Sequence, residues 1–277
     1  MNSEKSKIEQ ESKRRFKFGK NWKSFLKSLN EDKIVFSKKC LLDFLGETDL
    51  KEKSFLDVGS GSGLSSLVAK KAGASVYSFD YDEDSVACTK YLKEKYFKND
   101  LNWAIEQGSA LNEKYLKDLG KFDIVYSWGV LHHTGDMYKA LDLVEKNVAD
   151  SGKLYISLYN DQGFISKIWY SIKKAYVNSP YIIKQLILLI CYIRLWGPTT
   201  VKDFIKIRPF YSWRKYYLQR GMSPHRDVID WVGGYPFEVS KPEEIIHFFI
   251  LRNYRLEKLK TCGGGKGCNE FLFIKNS

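Results

Sequence analysis

The stretch Leu56-Asp57-Val58-Gly59-Ser60-Gly61-Ser62-Gly63-Leu64 concentrates residues that can hold a ligand. An apolar run, Ser54 to Val58, ends in glycines at alternate positions. That order reads as a buried strand feeding a tight turn and then a helix. Glycine lets the backbone turn sharply and approach a ligand closely, because no Cβ intervenes. The helix start that follows offers unpaired N–H groups to a negative or polar ligand end. Asp80 closes the next apolar run, and a carboxylate there can accept hydrogen bonds from both ribose hydroxyls of a nucleoside. A dinucleotide site competes with this reading, and spacing decides against it. The dinucleotide fingerprint is GxGxxG, whereas Gly59, Gly61 and Gly63 make GxGxG and Leu64 stands where the third glycine belongs. Asp57, just ahead of Gly59, repels a pyrophosphate and attracts a cation.

The elements that must position these residues follow from apolar spacing. Phe16 to Leu45 reads as two helices broken near Asn30 to Asp32. After the strand at Ser54 to Val58 come a helix at Leu64 to Ala72, a strand at Ser75 to Phe79, a helix at Asp84 to Phe97 and a weak strand at Trp103 to Glu106. A fourth strand at Phe122 to Ser127, a helix at Met137 to Ala149 and a fifth strand at Leu154 to Tyr159 complete the alternation, the last after a Ser151-Gly152 turn. Strands alternating with helices predict a mostly parallel sheet with helices on both faces. From Asn160 to about Ser240 the sequence is aromatic, basic and helical. A helix at Pro242 to Arg252 and strands at Tyr254 to Lys260 and Glu270 to Lys275 then close the sheet as an antiparallel hairpin, bringing it to seven strands. The implied organisation is an N-terminal helical segment (1–45), a nucleoside-binding domain (46–159), a helical insert after the fifth strand (160–240), and a C-terminal helix and hairpin (241–277).

On these motifs the chain resembles the class I S-adenosylmethionine-dependent methyltransferases. The resemblance covers about half the chain, and the segment Phe122-Asp123-Ile124-Val125-Tyr126-Ser127-Trp128-Gly129-Val130-Leu131-His132-His133 is similar to the ubiquinone and menaquinone methyltransferase branch. It implies an α/β, Rossmann-like fold and S-adenosyl-L-methionine as cofactor, whose cationic aminoacyl end suits Asp57. It assigns cofactor contacts to Asp57, Gly59, Ser60, Gly61, Gly63, Asp80, Tyr81, Ser109, Ala110 and Trp128. Ser109 is a departure, since many members carry Asp there. Methyl transfer requires in-line alignment, exclusion of water and, for a hydroxyl acceptor, removal of a proton. His132 and His133 follow the fourth strand at the ligand-binding edge, either as a base or as packing beside the cofactor. The insert brings further candidates in His225, Asp227 and Asp230, within the charged segment Ser223 to Glu238, which reads equally as a surface ion-pair loop.

Charge and cysteine content set the remaining bounds. A net charge of +12 favours acidic partners or simply reflects a lysine-rich surface; part of it clusters at Lys13, Arg14, Arg15, Lys17, Lys20, Lys23 and Lys27. The five cysteines are irregularly spaced, which supports neither a disulfide scaffold nor a zinc site, and no metal is assigned. The polar start, Met1 to Arg15, has no apolar targeting region, so the expected location is cytoplasmic. The apolar run Tyr181 to Gly197 is interrupted by Lys184 and Arg194 and falls short of the roughly 20 apolar residues of a spanning helix. It reads as a lid helix or a peripheral membrane contact. The expected reaction is O-methylation of a small molecule or glycan, acidic or lipid-linked. The rivals are an RNA or protein methyltransferase and a non-catalytic S-adenosylmethionine-binding regulator. No dedicated nucleic-acid-binding module is visible, and the fourth motif lacks the Asn/Asp-Pro-Pro-aromatic run of base-amino methyltransferases.

Overall fold

The computed structural model describes residues 18–220 and 224–277. The polar Met1 to Arg15 stretch, Lys17 of the basic cluster and Ser223 lie outside the described residues. Seven strands form one sheet: β1 (Ser54–Val58), β2 (Ser75–Asp80), β3 (Trp103–Gln107), β4 (Phe122–Trp128), β5 (Val148–Tyr159), β6 (Tyr254–Lys260) and β7 (Cys268–Lys275). Their order is β3-β2-β1-β4-β5-β7-β6. Only β7 runs against its neighbours, pairing antiparallel with both β5 and β6. Alternate residues of the inner strands enter opposite cores. Leu56, Val58, Val125 and Ile156 pack on one face; Phe55, Val76 and Ile124 pack on the other. Burial on both faces explains why these strands read as continuous apolar runs.

The N-terminal helices are α1 (Gly19–Leu26) and α2 (Glu31–Leu45), separated as expected near Asn30, whose side chain accepts from Lys33 N and caps α2. The helices α3 (Leu64–Lys71), α4 (Glu83–Tyr96), α5 (Glu113–Leu119) and α6 (Met137–Val144) connect the parallel strands. Helix α5 has no counterpart in the sequence reading, because its seven residues bury only Leu116 and present no apolar period. The helix expected to reach Ala149 stops at Val144 and passes through a 3-10 turn, Glu145–Asn147. Asn147 pins that turn by donating from Nδ2 to the Leu116 and Gly120 carbonyls. Strand β5 then starts earlier than expected. Ser151 and Gly152 form a bulge inside it, marked by a register shift between Phe122 and Ile124 of β4. A Cβ on Gly152 would stand 2.7 Å from the Ala149 carbonyl oxygen.

Among the described residues four helices make the insert: α7 (Phe164–Asn178), α8 (Tyr181–Ile205), α9 (Tyr211–Arg220) and α10 (Pro224–Gly233). They share a small core of their own, with Trp169 and Tyr176 from α7, Leu188 and Cys191 from α8, and Val228 and Val232 from α10. Helix α8 is longer than the apolar run that announced it, continuing past Gly197 and Pro198 to Ile205. The excursion leaves and rejoins the sheet at one place, where Asn160 and Ser240 form an isolated parallel bridge. Backbone bonds from Asp161 N to Ser240 O and from Ser240 N to Tyr159 O close it. Helix α11 (Pro242–Ile250) follows and buries Ile245 and Phe249 against the sheet.

Candidate active site

The chain passes from β1 outward to β2 and β3, then crosses back to β4. Crevices form at the carboxyl ends of strands at such a reversal. A cavity of about 1530 Å³ opens there. At its floor the glycine turn leaves β1 with Gly59, Gly61 and Gly63 at φ of 79°, 55° and 80°, backbone that L side chains rarely adopt. A Cβ at Gly59 would collide with Val130 at 2.4 Å, and one at Gly63 would meet the Thr89 backbone at 2.7 Å. The two glycines therefore do different work. Gly59 and Gly61 line the cavity with Ser60, whereas Gly63 does not reach it. Gly63 instead starts α3 and lets α4 approach, a correction to its assignment as a ligand contact.

Asp80 holds the turn from β2. Its Oδ2 accepts from Gly61 N and its Oδ1 from Asp82 N, both at 2.9 Å. Burial pushes its carboxyl up to about 6, with those backbone donors opposing the rise. Asp57 is almost completely buried at the cavity floor. Burial holds it at about 7, although the Ser66 hydroxyl donates to it and lowers it, and the neighbouring Asp80 charge raises it further. Two carboxyls this dry favour a ligand that brings hydroxyl donors or a positive charge. Tyr81, Ser109, Ala110 and Trp128 line the same cavity. The glycine turn, with the buried Asp57 and the half-buried Asp80 beside it, fits a nucleoside with a cationic tail.

The other end of the cavity is assembled from distant segments. After β4 the chain makes a 3-10 turn, Leu131–His133. His133 lines the cavity and donates from Nδ1 to the Pro236 carbonyl oxygen at 2.6 Å. That bond makes Nε2 the acceptor nitrogen of the neutral ring. Pro236 is fixed in turn: Glu238 N donates to the His132 carbonyl, and Gly135 N and Met137 N donate to the Glu238 carboxylate. His132 does not share the site. It is fully buried, is absent from the cavity wall, and accepts from Tyr159 N through Nδ1. Burial lowers it well below its ordinary value, and the charges of His133 and Lys173 lower it further. His132 is therefore corrected from candidate base to packing. His225 is likewise corrected: it is exposed on α10, stacks on Tyr192 at 5.4 Å and does not line the cavity.

Asp227 and Asp230 of α10 do line it, with Trp231 and Tyr235. Burial pushes Asp230 up to about 7, and the Asn21 amide, donating to its Oδ1, opposes the shift. Asn21 belongs to α1, to which the sequence reading assigned no part in the site. Phe18, Trp22 and Phe25 also line the cavity. Helix α1 is tied down by Gly19 N donating to Asp82 at 3.0 Å and by a 2.7 Å Lys23–Asp84 ion pair. Its apolar spacing was visible in the sequence, but spacing alone does not say what a helix face meets. The β6–β7 loop adds Thr261, Cys262, Lys266 and Gly267, and the start of β7 adds Cys268. Beneath the wall, Lys173 is fully buried. Its Nζ donates to the Trp231 carbonyl and lies 4.3 Å from the Trp231 ring centre and 4.7 Å from that of Phe237. A cation at a core position of the stripe Trp169, Lys173, Tyr176 was the signal available for it.

Comparison with known proteins adds the family. Residues 37–196, more than half of the chain, match the family described as a methyltransferase domain. A ribosomal protein L11 methyltransferase of Helicobacter pylori is 36% identical over 100 residues, covering 36% of this chain and 28% of that protein. A ubiquinone biosynthesis O-methyltransferase of Pelagibacter ubique is 28% identical over 137 residues, covering 50% of this chain and 52% of that protein. The chain thus spans no more than about half the length of these curated relatives. Among solved structures, the magnesium protoporphyrin IX methyltransferase from Synechocystis PCC 6803 with bound SAH has a TM-score of 0.51 at 13% identity, covering 87% of this chain and 82% of that one. The likeness is one of fold.

Proposed function

The chain belongs to the methyltransferase-domain family, in its S-adenosylmethionine-dependent class I, and from that premise we propose that it methylates a hydroxyl oxygen of a ring-bearing small molecule or glycan. The cofactor supplies an electrophilic methyl group on a sulfonium sulfur. The observation that carries the reading is His133: its Nδ1–H is anchored on the Pro236 carbonyl, and the ring stands in the cavity wall. With that tautomer fixed, Nε2 would take the proton of an acceptor hydroxyl, while the glycine turn and Asp80 would hold the cofactor that supplies the methyl group. Trp231, Tyr235 and Tyr159 offer flat apolar walls to a ring. Helices α1 and α10, joined through Asn21 and Asp230, cover the reacting groups and exclude water. The cavity of about 1530 Å³ exceeds the roughly 300–1,000 Å³ of one small-ligand site, which leaves room for cofactor and acceptor together. The insert then sets the acceptor and the sheet sets the cofactor.

Radiolabelled methyl transfer to a panel of hydroxylated aromatics and glycosides, run beside ribosomal protein and RNA, tests this reading. Label on a small hydroxyl compound, lost in His133→Ala, supports it. Label appearing on protein or RNA alone, or undiminished turnover in His133→Ala, removes it.

A further inference from the structure

The insert carries a second surface that the cavity does not use. Helix α8 turns Leu188 and Cys191 inward to the insert's core. At 3.6 residues per turn, Ile182, Leu186, Leu189, Ile190, Ile193 and Phe204 fall on the opposite side. All six are exposed, Leu186 by 54%, Ile190 by 65% and Ile193 by 63%. Phe164, Ile165 and Ile168 at the start of α7 are exposed as well. An open apolar area of this extent marks an interaction surface rather than ordinary scatter.

The charge around it identifies the partner. Between Asp161 and Arg220 the sequence has eleven Lys and Arg against two acids, a surplus of nine where the whole chain has +12. Both acids are already engaged: Asp161 accepts from Gly163 N, and the buried Asp203 accepts from the Ser212 backbone and hydroxyl. Arg194 borders the apolar stripe, and Lys202, Lys206 and Arg208 follow it, all exposed. An apolar stripe with basic flanks and no exposed acid on α8 complements an anionic lipid surface.

We propose that the outer face of α7 and α8 docks the protein on an anionic membrane, apolar side chains among the acyl chains and basic ones at the phosphates. The inference goes beyond the methylation reading and does not depend on it. Helix α8 is long and apolar enough to cross a membrane by length and composition. Its inner face, however, is committed to α7 and α10, so it lies in the plane of the interface instead of spanning it.

Flotation of the full chain with vesicles tests the docking. Vesicles of phosphatidylcholine alone are compared with equal parts phosphatidylcholine and phosphatidylglycerol. The protein floats with the mixed vesicles, dissociates as salt is added, and resists neither salt nor alkaline washing. Leu186→Asp with Ile190→Asp lowers the partition coefficient at least tenfold, and so does Arg194→Glu with Lys202→Glu. Unchanged helical circular dichroism and melting show that these variants remain folded. Failure of the wild type to float overturns the proposal. Undiminished flotation of the apolar variant reduces it to adsorption by charge alone and overturns the insertion. Retention after an alkaline wash overturns the in-plane geometry. A dimer in sedimentation that the apolar variant dissociates, with no flotation, assigns the face to a second copy.

Discussion

Beneath the glycine turn the cavity is walled by backbone and two strand-end acids, whereas beneath the insert it is walled by side chains drawn from four separate segments. The first end is contiguous: β1, its turn and the end of β2 supply Asp57, Gly59, Ser60, Gly61 and Asp80. Its donors are N–H groups whose direction no side-chain replacement changes, and its glycines sit at φ values that other residues resist. The second end joins α1, the turn after β4, α10 and the β6–β7 loop. It can be rebuilt one side chain at a time. A fixed cofactor and a variable acceptor call for this division of labour.

Variants that affect one end and spare the other put the division to the test. His133→Ala should lower kcat by roughly 10²–10⁴-fold, the usual contribution of a positioned base, with cofactor affinity unchanged by calorimetry. A matching loss of cofactor affinity would show that the two ends are not separable at this residue. Asp80→Ala should do the reverse, weakening the cofactor and its demethylated product by roughly tenfold to a hundredfold, since each charge-assisted bond is worth roughly 1.5–3 kcal/mol.

The pH dependence of that affinity sharpens the assignment. Burial holds the Asp80 carboxyl at about 6, and only its ionised form would accept from both hydroxyls of a bound ribose. Affinity should therefore decline as pH falls through 6, with Asp57, held at about 7, contributing in the same direction. Asp80→Asn should remove the part of this dependence due to Asp80. A wild-type affinity independent of pH from 5 to 8 would contradict the role given to these acids.

Smaller effects are expected where α1 meets the insert. Asn21→Ala removes the amide donated to Asp230 and should lower kcat/KM for the acceptor about fivefold, near the worth of one buried hydrogen bond. Product affinity measured on the same preparation should move less. A last change concerns stability rather than turnover. Lys173 is held at about 7 by burial, and the Lys266 charge adds to the lowering. The unfolded lysine binds its proton below about 10.5, so the cost of burying the amine grows as pH falls from about 10.5 and is complete below about 7. Lys173→Met should then stabilise the protein by about 1–3 kcal/mol at pH 7 and by less at pH 10. Thermal melts at the two pH values measure the difference.

The same contrast explains what could be read from the chain alone. The glycine spacing, Asp57 and Asp80 are local signals, and six of the seven strand starts follow from local apolar runs to within about two residues. The early start of β5 escaped because a bulge at Ser151 and Gly152 has the same composition as a turn. His132 and His133 are adjacent in sequence and opposite in role. The distinction comes from Pro236 and Tyr159, partners contributed from far along the chain. His225 looked reactive beside Asp227, yet on α10 it turns to Tyr192 while Asp227 and Asp230 face the cavity. Asn21 and Trp22 gave no local sign of function, because their role exists only once α1 has crossed the mouth of the sheet.

The bridge between Asn160 and Ser240 has a consequence for descent. A segment that departs and returns at neighbouring points can be replaced as a cassette, since neither the register of β5 nor that of β7 has to change when its contents do. On the proposed assignment of the acceptor to the insert, exchange between those two residues would alter what the enzyme works on and leave the sheet intact. The same junction marks where to cut and join when grafting a cover from another member of the family.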